Sequence, residues 1–180
     1  MLLSMLMFAL LSGQTESGKG FKPDPVEKDE IILQQISPEV IDGDTIVVEG
    51  KEIRLYKMDA PEINQKCLNG YSKCGKISAL QLMFYVEDSS VICYTSNVRK
   101  GKYGRYIGTC FAKYREGVHP EYLRFKIGNN YYVDLSTIMI AQRWAMPYPK
   151  GASYPLDKGQ GLWKWGWFEE PRKYRKKRNK

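Results

Sequence analysis

Short runs of β-branched and other apolar residues, separated by polar turns, begin near position 31. Ile31 to Ser37, Asp44 to Glu49 and Glu52 to Met58 are rich in Val, Ile and Leu, a composition typical of β-strands. Glu49-Gly50-Lys51 fits a tight turn between the last two runs. We therefore predict three consecutive strands in a curled antiparallel meander, which ends where Pro61 has no amide hydrogen to donate.

A helical pattern follows these strands. Between Lys76 and Val86, Ile77, Leu80 and Phe84 recur at helical spacing, with Met83 beside them. Apolar residues at this spacing share one face of an α-helix. We predict a helix here, and we expect these four side chains to face the core.

A second helix is predicted in the segment LSTIMIAQRW, which begins at Leu135. Leu135, Ile138 and Met139 have the i, i+3, i+4 spacing of a core-facing stripe. Asp134 precedes the first of them and suits the N-cap position, where its carboxylate can accept a backbone hydrogen bond.

Two further strands, Ser90 to Ser96 and Tyr103 to Lys113, lie on either side of the polar connection NVRKGKYG. If this hairpin is symmetric, Cys93 lies directly opposite Cys110. That registry can close a cross-strand disulfide at a non-hydrogen-bonded pair, unless a bulge intervenes.

The chain has four cysteines and one histidine. Cys67 and Cys74 flank a loop of six residues, so they are the natural second disulfide pair among the three connectivities that four cysteines allow. An even set of cysteines in a chain that looks exported favours disulfides over metal binding. Zinc is not expected, because there is no CxxC motif and His119 lies in a loop of Gly, Pro and Glu, where we expect a solvated side chain.

These elements indicate an α+β, mainly β fold. Five strands with an inserted helix and C-terminal helices, one of them around positions 156–163, suggest a five-stranded Greek-key barrel of the oligonucleotide-binding (OB) type. A chain of 180 residues has room for one such domain, which we assign to residues 31–170.

The N-terminal region differs from this body. Residues 1–13, MLLSMLMFALLSG, are uncharged and mostly apolar, which matches the core of a signal peptide but is too short for a membrane-spanning helix. We expect a secreted or periplasmic protein, with a membrane tether as the alternative. Residues 14–30 mix Gly, Pro and alternating charge without periodicity, and we predict a disordered linker there.

Residues 171–180 form a basic C-terminal tail. Its stretch RKYRKKRNK holds seven cations and no acid, so it carries all but one of the net charges in a total of +8. Such a run suits an acidic partner, and we expect it to grip backbone phosphates in a salt-dependent way. The alternative is a run that is only solvated. Truncation after Pro171 is expected to leave catalysis at the metal site intact but to weaken polynucleotide binding and flatten its salt dependence.

Acids and arginines at the predicted strand ends are the residues that most strongly indicate a functional site. Asp44, Asp59 and a carbonyl of the following loop would supply the oxygen ligands that hard divalent cations such as calcium prefer. Arg54 and Arg105 have planar guanidinium groups that match phosphate oxygens. Glu62 could accept a proton from an attacking water. The alternative is that these side chains are solvated or paired at the surface.

The order of four segments along the chain favours the calcium and phosphate site over solvated side chains. IDGDT, IRLYKMDAPE, KYGRYIGTCF and DLSTIMIAQRWA follow one another at intervals that resemble the thermonuclease family, the staphylococcal-nuclease-like enzymes. GLWKWGWFEEPRKYR resembles the C-terminal ending of exported members. The resemblance covers about residues 31–170 and implies a calcium-dependent phosphodiesterase on an OB-type barrel.

The resemblance also implies roles at the metal. Asp44 and Asp59 match the calcium carboxylates of the family, and Ala60 occupies the position that offers a backbone carbonyl. Asp42 matches a supporting residue near the metal. One departure is Arg143, which stands where a glycine is common before the Trp-Ala of the second helix.

At the phosphate, Glu62 matches the general base of the family, and Arg54 and Arg105 match its two phosphate-binding arginines. Tyr103 matches a family tyrosine beside the phosphate, and Tyr148 matches the one that stacks on the substrate. For Tyr148, surface packing is an equal alternative. Lys102, in the hairpin connection, is either a phosphate contact or solvated. The expected substrate contacts are Lys102, Tyr103 and Tyr148.

The sequence therefore predicts an exported nuclease that cuts DNA and RNA with little sequence preference and leaves 3′-phosphate ends. A non-catalytic OB-type module that binds single strands is the alternative, although a pure binder has no reason to keep acids that repel phosphate. DNA and RNA are the expected partners. We expect a monomer without a stable protein partner, and membrane contact only through an uncleaved N-terminal segment.

Overall fold

A computed structural model of the chain describes residues 30–67, 73–97, 101, 104–148, 161–162 and 169–178. The predicted signal segment, nearly all of the predicted linker, Lys102, Tyr103 and most of the helix predicted around 156–163 lie outside the described residues. Within them, the strands are β1 (Glu30–Ile36), β2 (Glu39–Asp42), β3 (Thr45–Val48), β4 (Lys51–Leu55), β5 (Met58–Asp59), β6 (Ser90–Ser96), β7 (Tyr106–Lys113), β8 (Phe125–Ile127), β9 (Asn130–Asp134) and β10 (Met146–Pro147). The α-helices are α1 (Cys74–Val86), α2 (Leu135–Ala141) and α3 (Pro171–Arg178).

Eight of these strands form one curled sheet. Its order is β1-β6-β7-β4-β3-β2, and β9 joins β7 to β8. Strand β4 runs parallel to β7, while the other pairs in the sheet are antiparallel. The curl brings β1 back toward the end of β3, where the Gln34 backbone N–H donates to Glu49 Oε1 at 2.9 Å and the Glu49 N–H donates to Gln35 Oε1 at 2.7 Å. The fold is thus mainly β, with a sheet curled into a half-barrel.

The sheet has more strands than the five predicted. Strand β2 is only four residues long, and it is separated from β1 by Ser37, which has a positive φ of 48°. The β8–β9 hairpin turns at Gly128 and Asn129, and its positions are mostly exposed. Strands this short and this exposed lack the run of apolar residues on which the sequence prediction depended.

The β6–β7 hairpin confirms the predicted register. Cys93 is the partner of Cys110, and they form a disulfide with a Cα–Cα distance of 4.1 Å. Cys67 and Cys74 form a second disulfide with a Cα–Cα distance of 5.6 Å, so the structure has both bridges in the predicted pairing. Two disulfides indicate an oxidising environment, extracellular or periplasmic. No helix among the described residues is long and apolar enough to cross a membrane.

The main core joins the sheet to α1 and α2. Asp134 caps α2, since its carboxylate accepts the Thr137 backbone N–H at 2.6 Å. Leu135, Ile138 and Met139 are fully buried, which confirms the predicted cap and the predicted stripe. Helix α2 ends three residues earlier than predicted, at Ala141.

Helix α1 buries a different face from the one predicted. The predicted core face is 39% to 60% exposed at every one of its four positions, Ile77, Leu80, Met83 and Phe84. The buried side chains come from the other side of the helix, and beyond its first turn they are Ser78, Ala79, Leu82, Tyr85 and Val86.

Contacts near the start of α1 fix its rotation. Cys74 is tied to Cys67, and Gly75 lies so close to the Glu62 carbonyl that a Cβ there would overlap it. One turn later, the Ser78 hydroxyl donates to the carbonyl of Trp144 at 2.8 Å. Because apolar residues occur on all sides of α1, periodicity alone could not select the buried face.

His119 is buried, and the prediction of a solvated side chain was wrong. Only 4% of the residue is exposed. Nδ1 accepts the Arg115 backbone N–H at 2.9 Å, so the proton of the neutral ring is on Nε2, which donates to the Tyr85 carbonyl at 2.9 Å. Burial lowers the pKa of His119 below its ordinary value, although the hydrogen bond to Tyr85 opposes this.

We expect the free energy of unfolding to fall as the pH decreases below about 6.5. The unfolded chain then binds a proton on His119 that the folded protein resists until the pH reaches its lower folded-state pKa. One proton gives a slope of at most about 1.4 kcal/mol per pH unit. Urea unfolding of wild type and His119→Gln between pH 8 and pH 5 measures it. The variant should be less stable at pH 8 and should lose this slope, and parallel pH curves would contradict the prediction.

Candidate active site

The turn between β2 and β3 carries Asp44 into the protein. A register shift in the β2–β3 pairing precedes Asp42, whose Oδ1 accepts the Asp44 backbone N–H at 3.0 Å. Gly43 lies so close to Ser78 of α1 and to Ala60 that a Cβ at this position would overlap both. The turn therefore requires glycine, and it leaves Asp44 only 2% exposed.

Arg54 on β4 pairs with both Asp44, in the turn before β3, and Asp59, at the end of β5. Its Nη1 donates to Asp44 Oδ1 and its Nη2 to Asp59 Oδ1, both at 2.7 Å. Asp44 also accepts the Thr45 hydroxyl at 3.1 Å and the Ala60 backbone N–H at 3.1 Å. Both acids are buried, and the strand ends that carry them meet at one place, as the sequence predicts.

Glu62 lies beside this pair on the loop after β5. Gln65, which is fully buried, fixes the loop: its Oε1 accepts the Glu62 backbone N–H at 3.2 Å and its Nε2 donates to the Glu169 carbonyl at 2.6 Å. The Glu62 side chain is 37% exposed, so its carboxylate is open to solvent more than those of Asp44 and Asp59.

A third cation reaches the site from helix α3. Arg175 Nη1 donates to Glu62 Oε1 at 2.6 Å and to Asp59 Oδ1 at 3.0 Å, and its Nη2 donates to Asp59 Oδ2 at 2.9 Å. The basic tail is therefore not separate from the site, because one of its arginines contacts two of the predicted site residues.

A cavity of about 840 Å³ opens over these residues. Acids and arginines line it together, and α3 supplies one wall. A volume of this size is typical of ligand sites. The charged residues around it are Asp42, Arg54, Asp59, Glu62, Arg105, Arg172, Arg175, Lys176 and Arg178.

The remaining predicted substrate residues lie at the edge of this cavity or beyond the described residues. Arg105 lines it, with Nη1 3.4 Å from Thr45 Oγ1. Tyr148 also lines it and is 48% exposed; its backbone N–H donates to the Lys57 carbonyl at 2.9 Å. Lys102 and Tyr103 lie outside the described residues.

Burial is the main influence on the ionisation of Asp44. The pKa of Asp44 is raised to about 7, chiefly by burial and also by the nearby Asp42 and Asp59. Arg54 and the Ala60 N–H act in the opposite direction. A carboxyl whose charge is this poorly balanced gains from any additional cation that can reach it.

The site does not have the arrangement of a preformed metal centre. Among the described residues, no group of three or more His, Cys, Asp or Glu side chains is arranged to hold a metal ion. Asp44 and Asp59 bind arginine side chains, and Ala60 contacts Asp44 through its N–H. The donor set is still the all-oxygen kind that calcium accepts. A cation would have to replace arginine contacts on these oxygens.

Arg175 is the site residue that sequence reasoning missed. Pro171 after two glutamates is a recognisable helix start, because proline suits the first helical position. That signal could have predicted a helix, α3, in the basic tail. It could not have placed Arg175 against Asp59, 116 residues earlier in the chain.

Comparison with known proteins gives one partial likeness. No protein-family model matches the chain. Over 86 residues, which are 46% of this chain, it is 41% identical to the "Succinoglycan biosynthesis protein ExoI" of Rhizobium meliloti (strain 1021). The match covers 43% of that protein, so the chain spans less than half the length of this curated relative.

Proposed function

We propose that this protein is a calcium-dependent nuclease of the thermonuclease type, which hydrolyses phosphodiester bonds of DNA and RNA with little sequence preference. The observation that carries the proposal is that Arg54, Asp59 and Glu62 line one cavity. The buried Asp44 lies behind them and is paired with Arg54. These residues come from a turn, two strands and a loop, and they are the ones to which the sequence resemblance gives metal-binding and catalytic roles.

The curled sheet supports the finer fold assignment within this proposal. An OB-type Greek-key barrel would account for a sheet in which a meander (β2, β3 and β4) meets a long hairpin (β6 and β7) through a parallel pair. The β8–β9 hairpin and the short β5–β10 pair would then be additions to that barrel. Export by residues 1–13 belongs to the same proposal, and the two disulfides support it.

Each residue of the site has its own role in the proposed reaction. Glu62 accepts a proton from a water molecule as the water attacks phosphorus. The bond from phosphorus to the 5′-oxygen breaks, and this oxygen takes a proton from solvent to become a hydroxyl. Arg54 and Arg105 bind the non-bridging oxygens, where negative charge grows in the transition state. Asp44 and Asp59, with the Ala60 carbonyl, would hold calcium. When bound, calcium supplies further positive charge to the phosphate oxygens.

Arginine chemistry favours phosphate as the group that this cavity binds. Arg54 keeps 24% of its side chain exposed while both of its terminal nitrogens bind acids, so it is held rigidly at the cavity wall. A guanidinium fixed in this way loses little conformational entropy when it binds a phosphate oxygen.

A non-catalytic module that binds single-stranded nucleic acid is the second candidate. The observation that favours it is the pairing of Asp44, Asp59 and Glu62 with Arg54 and Arg175. Acids neutralised in this way repel phosphate less, so their presence does not argue against a binder as strongly as the sequence alone suggested.

The first prediction separates the two candidates. Purified protein with intact disulfides should cut plasmid DNA and single-stranded RNA in calcium, and the chelator EGTA should abolish cutting. The ends should carry 3′-phosphate groups, which phosphatase-dependent extension of the products measures. Retention of nucleic acid in a mobility shift without cutting in any divalent ion would instead favour the binding module.

The second prediction concerns Glu62. Glu62→Gln keeps the shape and the hydrogen-bonding capacity but removes the proton acceptor, so turnover at saturating calcium should fall by a factor of about 10²–10⁴. Because Glu62 also binds α3, the matched control is Glu169→Gln, which breaks a different ion pair to this helix, with Lys177 at 2.6 Å. The control should stay near wild type. A Glu62→Gln variant with wild-type turnover would remove Glu62 from the role of base.

A third prediction concerns Asp44. Asp44→Asn removes one ligand charge from a site that has few, so half-maximal cutting should require at least about tenfold more calcium. Turnover at saturating calcium should fall less than in Glu62→Gln. Rate measured against calcium concentration for both variants gives the comparison, and an unchanged calcium requirement would exclude Asp44 as a ligand.

A further inference from the structure

Helix α3 places a positive charge where the proposed metal ion would bind. Arg175 binds both oxygens of Asp59 and one oxygen of Glu62 through three hydrogen bonds of 2.6–3.0 Å. Asp59 Oδ1 also accepts Arg54. Each oxygen of Asp59 is therefore already engaged by a guanidinium, and the Glu62 oxygen that Arg175 binds is engaged as well.

The contact between Arg175 and Asp59 is partly buried and made through two guanidinium nitrogens, unlike an exposed surface ion pair. Asp59 has a side chain only 6% exposed, and Arg175 contacts it with two nitrogens of the guanidinium fork. Such two-pronged pairs are stronger and more specific than contacts of a single charge. Partial burial lowers the pKa of Arg175, but the hydrogen bonds to Asp59 and Glu62 raise it more.

Helix α3 is held in place by contacts on both sides of Arg175. Before the helix, the Glu169 carbonyl accepts Gln65 Nε2 at 2.6 Å, and the Glu169 carboxylate pairs with Lys177 at 2.6 Å. Within it, the Tyr174 hydroxyl donates to the Asn64 carbonyl at 3.3 Å. Asn64 and Gln65 lie on the same loop as Glu62, so α3 docks on the loop whose acid it binds.

We propose that Arg175 is an internal competitor of calcium: α3 keeps it on Asp59 and Glu62 in the cation-free protein, and a bound cation displaces it. The inference rests on the proposed function in taking Asp59 as a calcium ligand. Its basis is that the same carboxylate oxygens cannot serve a metal ion and hold Arg175 with full hydrogen bonds. Cation binding and docking of Arg175 therefore oppose each other.

Binding of a polyanion should also shift the equilibrium between docked and displaced Arg175. Arg172 and Lys176 of α3 line the cavity and are exposed, and a displaced Arg175 adds a third cation to them. A nucleic acid that binds the displaced helix favours the state in which Asp59 and Glu62 are free. By linkage, nucleic acid should then raise the affinity for calcium, and calcium should raise the affinity for nucleic acid by the same factor.

Calcium titration calorimetry on the full chain without nucleic acid tests the competition. Arg175→Ala should bind calcium at least about tenfold more tightly than wild type, because the cation no longer has to displace an ion pair. Lys173→Ala is the matched control: it removes a cation of the same helix that pairs with Glu170 at 3.5 Å, and its calcium affinity should stay that of wild type. Arg175→Lys keeps the charge but loses the fork, and should fall between Arg175→Ala and wild type.

Hydrogen exchange of the α3 amides provides a readout that does not depend on calorimetry. In wild type, calcium should accelerate exchange over residues 171–178. In Arg175→Ala, exchange should already be fast without calcium, and calcium should change it little. A structural role of Arg175 alone would not make α3 respond to calcium.

The outcomes separate this inference from the nuclease proposal. Unchanged calcium affinity in Arg175→Ala, or α3 exchange that calcium does not alter in wild type, overturns the inference even if the protein cuts nucleic acid. Tighter calcium binding in Arg175→Ala together with no cutting supports the inference and overturns the nuclease proposal. Absence of calcium binding in every variant overturns the inference.

Discussion

The buried ion pairs of Arg54 with Asp44 and Asp59 are the interaction on which the rest of the site depends. Two carboxylates that are nearly inaccessible to solvent are stable only if they are paired, because an unpaired buried charge costs several kcal/mol. Arg54 meets this requirement from the strand between them, and it thereby fixes the turn after β2 and the end of β5 relative to each other. Loss of Arg54 would affect the local fold as well as phosphate binding.

Two close backbone approaches bring the rest of the site to this pair. Gly43 lets the turn that carries Asp44 touch α1, and Gly75 lets α1 touch the backbone of Glu62. The Cys67–Cys74 disulfide spans the connection between the Glu62 loop and α1. The position of Glu62 is therefore set by helix packing and a covalent bridge, while Asp44 and Asp59 are set by strand pairing.

Much of this arrangement is local and could be read from the sequence. The β6–β7 register follows from hairpin symmetry, the start of α2 from the Asp134 cap, and the meeting of Asp44 with Asp59 from their strand ends. What could not be read depends on distant contacts or on ambiguous patterns. The apolar residues all around α1 fit either face, the burial of His119 depends on α1, and Arg175 reaches Asp59 through a helix near the opposite end of the chain.

The exposed side of α1 has a practical consequence for work on the folded protein. Ile77, Leu80, Met83 and Phe84 present a continuous apolar strip to solvent, which is where environment-sensitive dyes adsorb. Dye fluorescence will therefore be high before any unfolding begins, and melting curves recorded with such dyes will start from a raised baseline. Calorimetry or circular dichroism will report the unfolding transition without this background.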